Sequence, residues 1–443
     1  MFATPESPTE PDHTAVFTAP ERHGVVLKDG VLHVEDVPLP AIAAAVGTPT
    51  YVYSSAHVCA RHDELAAACA GHSTLLCYAV KANSSQAILR TLARRGAGAD
   101  IVSGGELARA LAAGIPADKV VFSGVGKQDA EIDAAITAGV RSINVESAEE
   151  LTRVAARARS LGRVARVALR VNPDIDPDTH PYLATGLRES KFGVAMAEAE
   201  ELAVHAAADP ALAIVGLACH IGSQIVEAGP FLASAQRVRA LVLRLRARGV
   251  HPRQLDLGGG LGIAYGGHEP RLDVAAFGRA VTDAARSLEM DLVLEPGRFF
   301  VGNAGVLLTR VIGRKRGESR SFVIVDAAMN DLIRPALYGA FHPVVPVDAA
   351  AATRPPVRAD VVGPVCECGD FLAQDRLVPW PEPGELLAVL GAGAYGMAMA
   401  STYNSRPLAA EVLVHGGEFA VTRPRATIEA MLAAERLPAW LTT

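Results

Sequence analysis

Between residues 74 and 295, eight short apolar runs, most of them β-branched, alternate with stretches that carry helical periodicity, and nothing else limits the fold as tightly. The runs are Thr74–Val80, Gly98–Val102, Val120–Ser123, Ser142–Val145, Val167–Val171, Ile214–Cys219, Gln254–Leu257 and Leu292–Glu295. Amphipathic patterns fall between them at Glu106–Ala113, Glu146–Leu161, Ala233–Arg248 and Val274–Leu288. Two helices open with capping-box spacing, Ser103-x-x-Glu106 and Ser147-x-x-Glu150, which lets side chains satisfy the N–H groups that a helix start leaves orphaned. Strand-then-helix units favour a parallel sheet, and eight of them over roughly 250 residues match one TIM-like (β/α)8 barrel. A doubly wound open sheet is the competing architecture.

The texture changes after Phe300. Val/Leu-rich runs at Val306–Val311, Phe322–Val325, Ala359–Val362, Glu385–Leu390 and Glu411–Val414 alternate with Gly, Pro and Asn turns, which predicts a mainly β C-terminal domain. The expected division is a disordered tail over 1–22, a segment over 23–45 that joins the β domain, the barrel over 46–300 and the β domain over 301–443. Of 443 residues half are hydrophobic and a fifth charged, enough to bury a large core. Lys and Arg number 42 against 48 Asp and Glu, with no basic run, which argues against a nucleic-acid partner. Leu386–Ala400 is too short and too glycine-interrupted to span a bilayer, and Met1–Pro20 lacks the basic and apolar regions of a signal peptide. Six scattered cysteines suit a reducing compartment, so the expected location is cytoplasmic.

In a (β/α)8 barrel, chemistry collects at the C-terminal ends of the strands. Lys81 follows the first run, Asp100 lies in the second, Arg170 to Asn172 close the fifth, and His220 follows the sixth. Gly258-Gly-Gly260 follows the seventh, and Glu295-Pro-Gly297-Arg298 closes the eighth. A lysine at the end of the apolar run Leu75–Val80 either snorkels to solvent or becomes a desolvated, nucleophilic amine able to form an imine. The glycine run either cradles a phosphate or is a flexible turn. Glu295 and Arg298 are either a site pair or a surface salt bridge. Gly391-Ala-Gly-Ala-Tyr-Gly396 fits a dinucleotide fingerprint, but only Met397–Tyr403 is left for the helix that fingerprint needs. Cys366 and Cys368 are two apart, with no second pair or His cluster, so no metal is expected.

Taken together, Tyr78-Ala-Val-Lys81-Ala-Asn83, Cys219-His-Ile-Gly-Ser-Gln224, Gly258–Gly262, Glu295–Arg298, Cys366-Glu367-x-x-Asp370 and Gly393-Ala-Tyr395-Gly396 resemble the fold-type III pyridoxal-phosphate decarboxylases. His180-Pro-Tyr-x-x-Thr-Gly186, Lys191-Phe-Gly193 and Arg334-Pro-x-x-Tyr338 point to the branch that turns meso-2,6-diaminopimelate into L-lysine and CO2. The resemblance runs over roughly residues 24–430. It implies pyridoxal 5'-phosphate as cofactor, with Lys81 as its covalent partner, His220 against its ring and Glu295 at the ring nitrogen. Ser223, Gly260 and the Glu295–Arg298 loop with Gly297 would bind phosphate, Asp100 and Glu106 would lie beside Lys81, and Arg170 would be a further cofactor-side residue. Arg298, Arg334 and Tyr338 would bind substrate carboxylates, and Tyr395 would touch both phosphate and substrate. Cys366 as proton donor and Glu367 on the distal ammonium would reach in from the second subunit of a homodimer. Cys368 stands where the family commonly has Ser. A distant second carboxylate on the substrate explains the arginines, because guanidinium gives permanent, bidentate recognition of it. Sister ornithine or arginine decarboxylases and a non-catalytic homologue are the alternatives.

Overall fold

The computed structural model describes residues 20–175, 191–266 and 269–441. The chain divides into two compact units, one of residues 58–263 and 270–300, the other of residues up to 57, 264–269 and 301–443.

The first unit is a closed parallel barrel. Its strands are β1 (Thr74–Ala79), β2 (Gly98–Ile101), β3 (Val120–Phe122), β4 (Ser142–Val145), β5 (Ala165–Asn172), β6 (Leu212–Ala218), β7 (Gln254–Asp256) and β8 (Asp291–Leu294). Each strand pairs with the next in parallel, and β8 pairs with β1 through Leu292↔Thr74 and Val293↔Leu75, which closes the ring. Closure removes every sheet edge, so each ladder N–H and C=O finds a partner. Cys77, Val121 and Val293 form a packed apolar cluster with Leu75 against it.

Helices fill the connections at Gln86–Ala93, Gly104–Ala112, Asp129–Ala138, Ala148–Ser160, Met196–Ala208, Gly229–Ala247 and Val274–Arg286. Both expected serine caps form, Ser103 accepting from the Glu106 N–H at 3.2 Å and Ser147 from the Glu150 N–H at 3.1 Å. The reciprocal half differs. Glu106 and Glu150 reach one residue further back, to the N–H groups of Val102 and Glu146, both at 2.7 Å. Each carboxylate thereby ties the loop after its strand to the helix start, in the loops where a barrel carries its site.

The second unit is mainly β. Strand Gly305–Arg316 is its spine, pairing with Thr50–Ser54, Ser321–Val325 and Leu386–Val389. Pro356–Val362, Phe371–Pro379, Ala410–His415 and Glu418–Arg423 extend the sheet. Leu32, Val34, Leu39 and Ile42 share a buried core with Val52, Val306, Leu308, Ala388 and Val412, so the early segment packs within this unit. The Gly391–Gly396 run is followed by a single 3₁₀ turn, Met397–Met399, too short for a dinucleotide-binding helix.

Candidate functional site

Lys81 lies in a single turn of 3₁₀ helix, Val80–Ala82, directly after β1. Its ammonium is 3.5 Å from Oδ2 of Asp100, a carboxylate that β2 holds fully inside the barrel. Lys81, Ser123, Asn144, Arg170, Ala218, Cys219, His220 and Glu295 line one pocket at the strand ends.

Three buried carboxyl groups influence one another here, Glu295 in the pocket lining together with Asp100 and Asp256; they are 8 %, 1 % and 0 % exposed. Burial in a low-dielectric interior disfavours their charged forms. It pushes Asp100 up, with Lys81 pulling the other way. Asp256 rises to about 7 through burial, opposed by the Gly258 N–H it accepts at 2.9 Å. Glu295 is driven well above the carboxylate range by burial and then by the charges of Asp100 and Asp256. Burial also pushes the nearby Cys219 thiol up to about 12.

His220 is held well below its ordinary value by burial and by the charges of Lys81 and Arg170, so its ring is neutral. The Gly259 N–H donates to its Nδ1 at 3.1 Å, which leaves the ring proton on Nε2. Gly260 has φ +98°, and a Cβ there would lie 2.2 Å from the Gly222 carbonyl oxygen. Only glycine permits that close approach between the loops after β6 and β7. Gly297 presses against the Lys81 turn, since a Cβ would meet Ala79 and Ala82 at 3.0 and 3.1 Å.

Arg170 is gripped from two sides, by Glu146 at 2.9 Å and by the face of Phe192 at 4.7 Å. Glu146 also accepts from the N–H groups of Gly124 at 2.8 Å and Gly193 at 3.1 Å. Arg298 donates to Ser223 Oγ at 3.0 Å. Glu106, beside Lys81 and Asp100, rises to about 7 through burial. Of the residues expected to hold a cofactor, Lys81, Arg170, His220 and Glu295 line the same pocket and Asp100 touches Lys81.

Arg334, Tyr338, Cys366, Glu367 and Tyr395 belong to the β unit. Arg334 is buried, lies 4.9 Å from the Tyr265 ring and donates to His342 Nε2 at 2.7 Å. Tyr338 ends the short helix Arg334–Tyr338. Cys366 and Glu367 are exposed in one turn, whose backbone is fixed by Asn404 accepting from the Cys366 N–H and by Asp370 accepting from Val365 N–H. Tyr395 has φ +57°, a conformation that costs energy for a bulky residue and marks a constrained position. His180–Gly186 lies outside the described residues.

Sequence reasoning missed Asp256, Ser123, Asn144, Glu146 and Lys127 in the barrel, and Tyr265, His342 and Asn404 in the β unit. Asp256 was within reach: it is an acid in an apolar run immediately before the glycine loop.

A family model described as pyridoxal-dependent decarboxylase, pyridoxal binding domain, matches residues 55–302. The chain is 52% identical to the diaminopimelate decarboxylase of Pseudomonas aeruginosa over 413 residues, 93% of this chain and 98% of that one. It is 50% identical to that of Neisseria meningitidis serogroup A over 404 residues, 91% and 98% of the two chains. The solved structure of Helicobacter pylori diaminopimelate decarboxylase complexed with L-lysine superposes with a TM-score of 0.86 at 39% identity, covering 89% and 98%.

Proposed function

The chain belongs to the pyridoxal-dependent decarboxylases and, within them, to the diaminopimelate decarboxylases, and from that premise we propose how its residues divide the work. The enzyme removes one carboxyl group of meso-2,6-diaminopimelate to yield L-lysine and CO2, the closing step of lysine biosynthesis. The observation that carries this reading is the single pocket that gathers Lys81, Arg170, His220 and Glu295.

The pocket suits pyridoxal 5'-phosphate. An amine stands beside a buried carboxylate, a neutral imidazole offers a flat face, and a glycine loop allows close backbone approach. When bound, the cofactor supplies the electron sink that carries the charge left on Cα as CO2 departs. Lys81 would anchor it, and Glu295 would hold a proton at its ring nitrogen. Ser223, Gly260 and the Gly297–Arg298 turn would take the phosphate, Arg170 and Asp100 would set the field around the anchor, and His220 would pack against the ring. Arg298, Arg334, Tyr338 and Tyr395 would orient the substrate.

Cys366 would deliver the proton Cα needs and Glu367 would meet the distal ammonium, both in the site of a second subunit of a homodimer. Their exposure in the single chain supports this division, because a general acid works in a water-poor surrounding that a partner can supply. We place the enzyme in the cytoplasm, supported by six cysteines that are all unpaired.

Carbon dioxide release from a panel of amino acids tests the assignment. Diaminopimelate should be turned over roughly 10³-fold faster than ornithine or arginine, which lack the second carboxylate that the arginines would recognise. Faster turnover of either basic amino acid would move the enzyme to a sister activity.

A further inference from the structure

Gln224, in the loop after β6, has no part in the roles above, yet it holds φ +66°, an uncommon conformation for a residue that carries a Cβ. Its side-chain amide runs along the backbone of Ile263 in the loop after β7. Nε2 donates to the Ile263 carbonyl at 2.5 Å, and Oε1 accepts from the Ile263 N–H at 3.3 Å. Backbone bonds continue the join. The Ile225 N–H donates to the Gly260 carbonyl and the Gly262 N–H to the Ile225 carbonyl, both at 2.9 Å, which pairs Ile225 with Leu261 as a parallel bridge. Glycine at 262 belongs to the same fit, since a Cβ there would lie 3.0 Å from the carbonyl carbon of Gln224 and 2.9 Å from the Val226 side chain.

Donors are left over along this join. Among the described residues, no protein acceptor takes the N–H of Ser223, Gln224, Gly260 or Leu261. Leu261 is 2 % exposed, and a backbone donor that deep calls for a partner. Ser223 Oγ accepts from Arg298 at 3.0 Å, so the turn after β8 brings a cation to the same loop. Backbone N–H groups beside a guanidinium suit an anion. We infer that Gln224 is a positioning residue whose amide fastens the loops after β6 and β7 into one cradle, so that the donors of both loops meet a phosphate at fixed spacing. Both ends of that amide are committed to Ile263, so Gln224 acts through the loops and not on the anion. That the anion is the phosphate of pyridoxal 5'-phosphate rests on the function proposed above, whereas the join between the loops does not.

Pyridoxal has the ring and aldehyde of pyridoxal phosphate without the phosphate, and comparing the two separates this role from a general loosening of the site. Gln224→Met keeps the side-chain length and loses the amide. In fluorescence titrations it should bind pyridoxal phosphate roughly tenfold more weakly, the scale of a pair of neutral hydrogen bonds, with pyridoxal affinity unchanged. Amide hydrogen exchange of the cofactor-free protein reads the join itself. The Ile225 and Gly262 N–H groups should exchange roughly tenfold faster in Gln224→Met, and at the wild-type rate in Ser223→Ala, which removes a donor of the cradle but not its fastening. Equal weakening for both ligands, or weakening for neither, overturns the cradle. Unchanged exchange in Gln224→Met, or equally fast exchange in Ser223→Ala, overturns Gln224 as the fastening. If circular dichroism shows that Gln224→Met does not fold, Gln224→Gly, unstrained at this φ, carries the same comparison. Wild-type protein that binds no pyridoxal phosphate overturns the cofactor reading, while the exchange rates still decide the join.

Discussion

At Arg334 a buried guanidinium is oriented by a neighbouring histidine. The His342 Nδ1–H donates to the Leu390 carbonyl at 2.9 Å, so its Nε2 is the acceptor that meets Arg334 at 2.7 Å. A neutral imidazole that accepts from the guanidinium fixes its orientation. His342→Ala should therefore raise KM for diaminopimelate roughly tenfold with little change in kcat, since it loosens binding rather than the reacting centre. A fall in kcat alone would contradict that role. At Lys81 the expectation is covalent: borohydride reduction of the cofactor-loaded enzyme should fix the label on the peptide that contains Lys81, and Lys81→Ala should carry none. Inspecting each strand end was enough to locate Lys81, His220 and Glu295. The same inspection passed over Asp256, Ser123 and Asn144, which lie at the end of, directly after and within their strands and look there like isolated polar interruptions. Their meaning comes from neighbours far away in the chain, and no local pattern records that proximity.

Among the elements, the helix over Ala148–Ser160 separates a local contribution from a tertiary one. Ser147 only caps it, so Ser147→Ala should cost about 1 kcal/mol in denaturant unfolding. Glu150 has a second duty. Its Oε1 lies 2.9 Å from Lys127 Nζ, a buried ammonium that also donates to the carbonyls of Gly124 and Asn144 at 2.7 Å. Glu150→Ala strands that ammonium in the interior and should cost about 3–5 kcal/mol. Equal losses in the two variants would refute the distinction. The capping spacing was readable in the sequence, but not that both glutamates reach past the cap. All eight barrel strands were readable too, because parallel strands buried on both faces show as continuous apolar runs between helical repeats. Thr50–Ser54 and Glu418–Arg423 were not. The first is buried at every position, shows no alternation and owes its extended form to partners distant in sequence, whereas the second is largely exposed and is held by the hairpin it forms with Ala410–His415.

At the level of the whole molecule, buried acids set the pH response of the cofactor-free protein. Asp256 and Glu106 have folded values near 7, far above the ordinary carboxylate range. The folded state therefore binds their protons more tightly than the unfolded chain, and stability that is complete below about pH 4 is lost as pH rises through 7. His220, lowered by burial, acts in the opposite sense below about pH 6.5. Tm should accordingly fall between about pH 6.5 and 8, and Glu106→Gln should flatten the slope; a Tm that rises across that window would refute it. The subunit arrangement has its own check: mixing Lys81→Ala with Cys366→Ala chains should restore part of the activity if sites are shared, and no recovery in mixed dimers would refute sharing. Lastly, the ring closes between β8 and β1, and Ala79 N–H donates to the Pro296 carbonyl at 3.1 Å across that join. Lys81 follows one lip of this seam and Glu295 the other, so a molecule gripped by both acts as a clasp. It can be held only after the cylinder has shut, and by mass action it then keeps the cylinder shut. A vitamin-derived clasp added during refolding should for that reason raise the yield of closed cylinders.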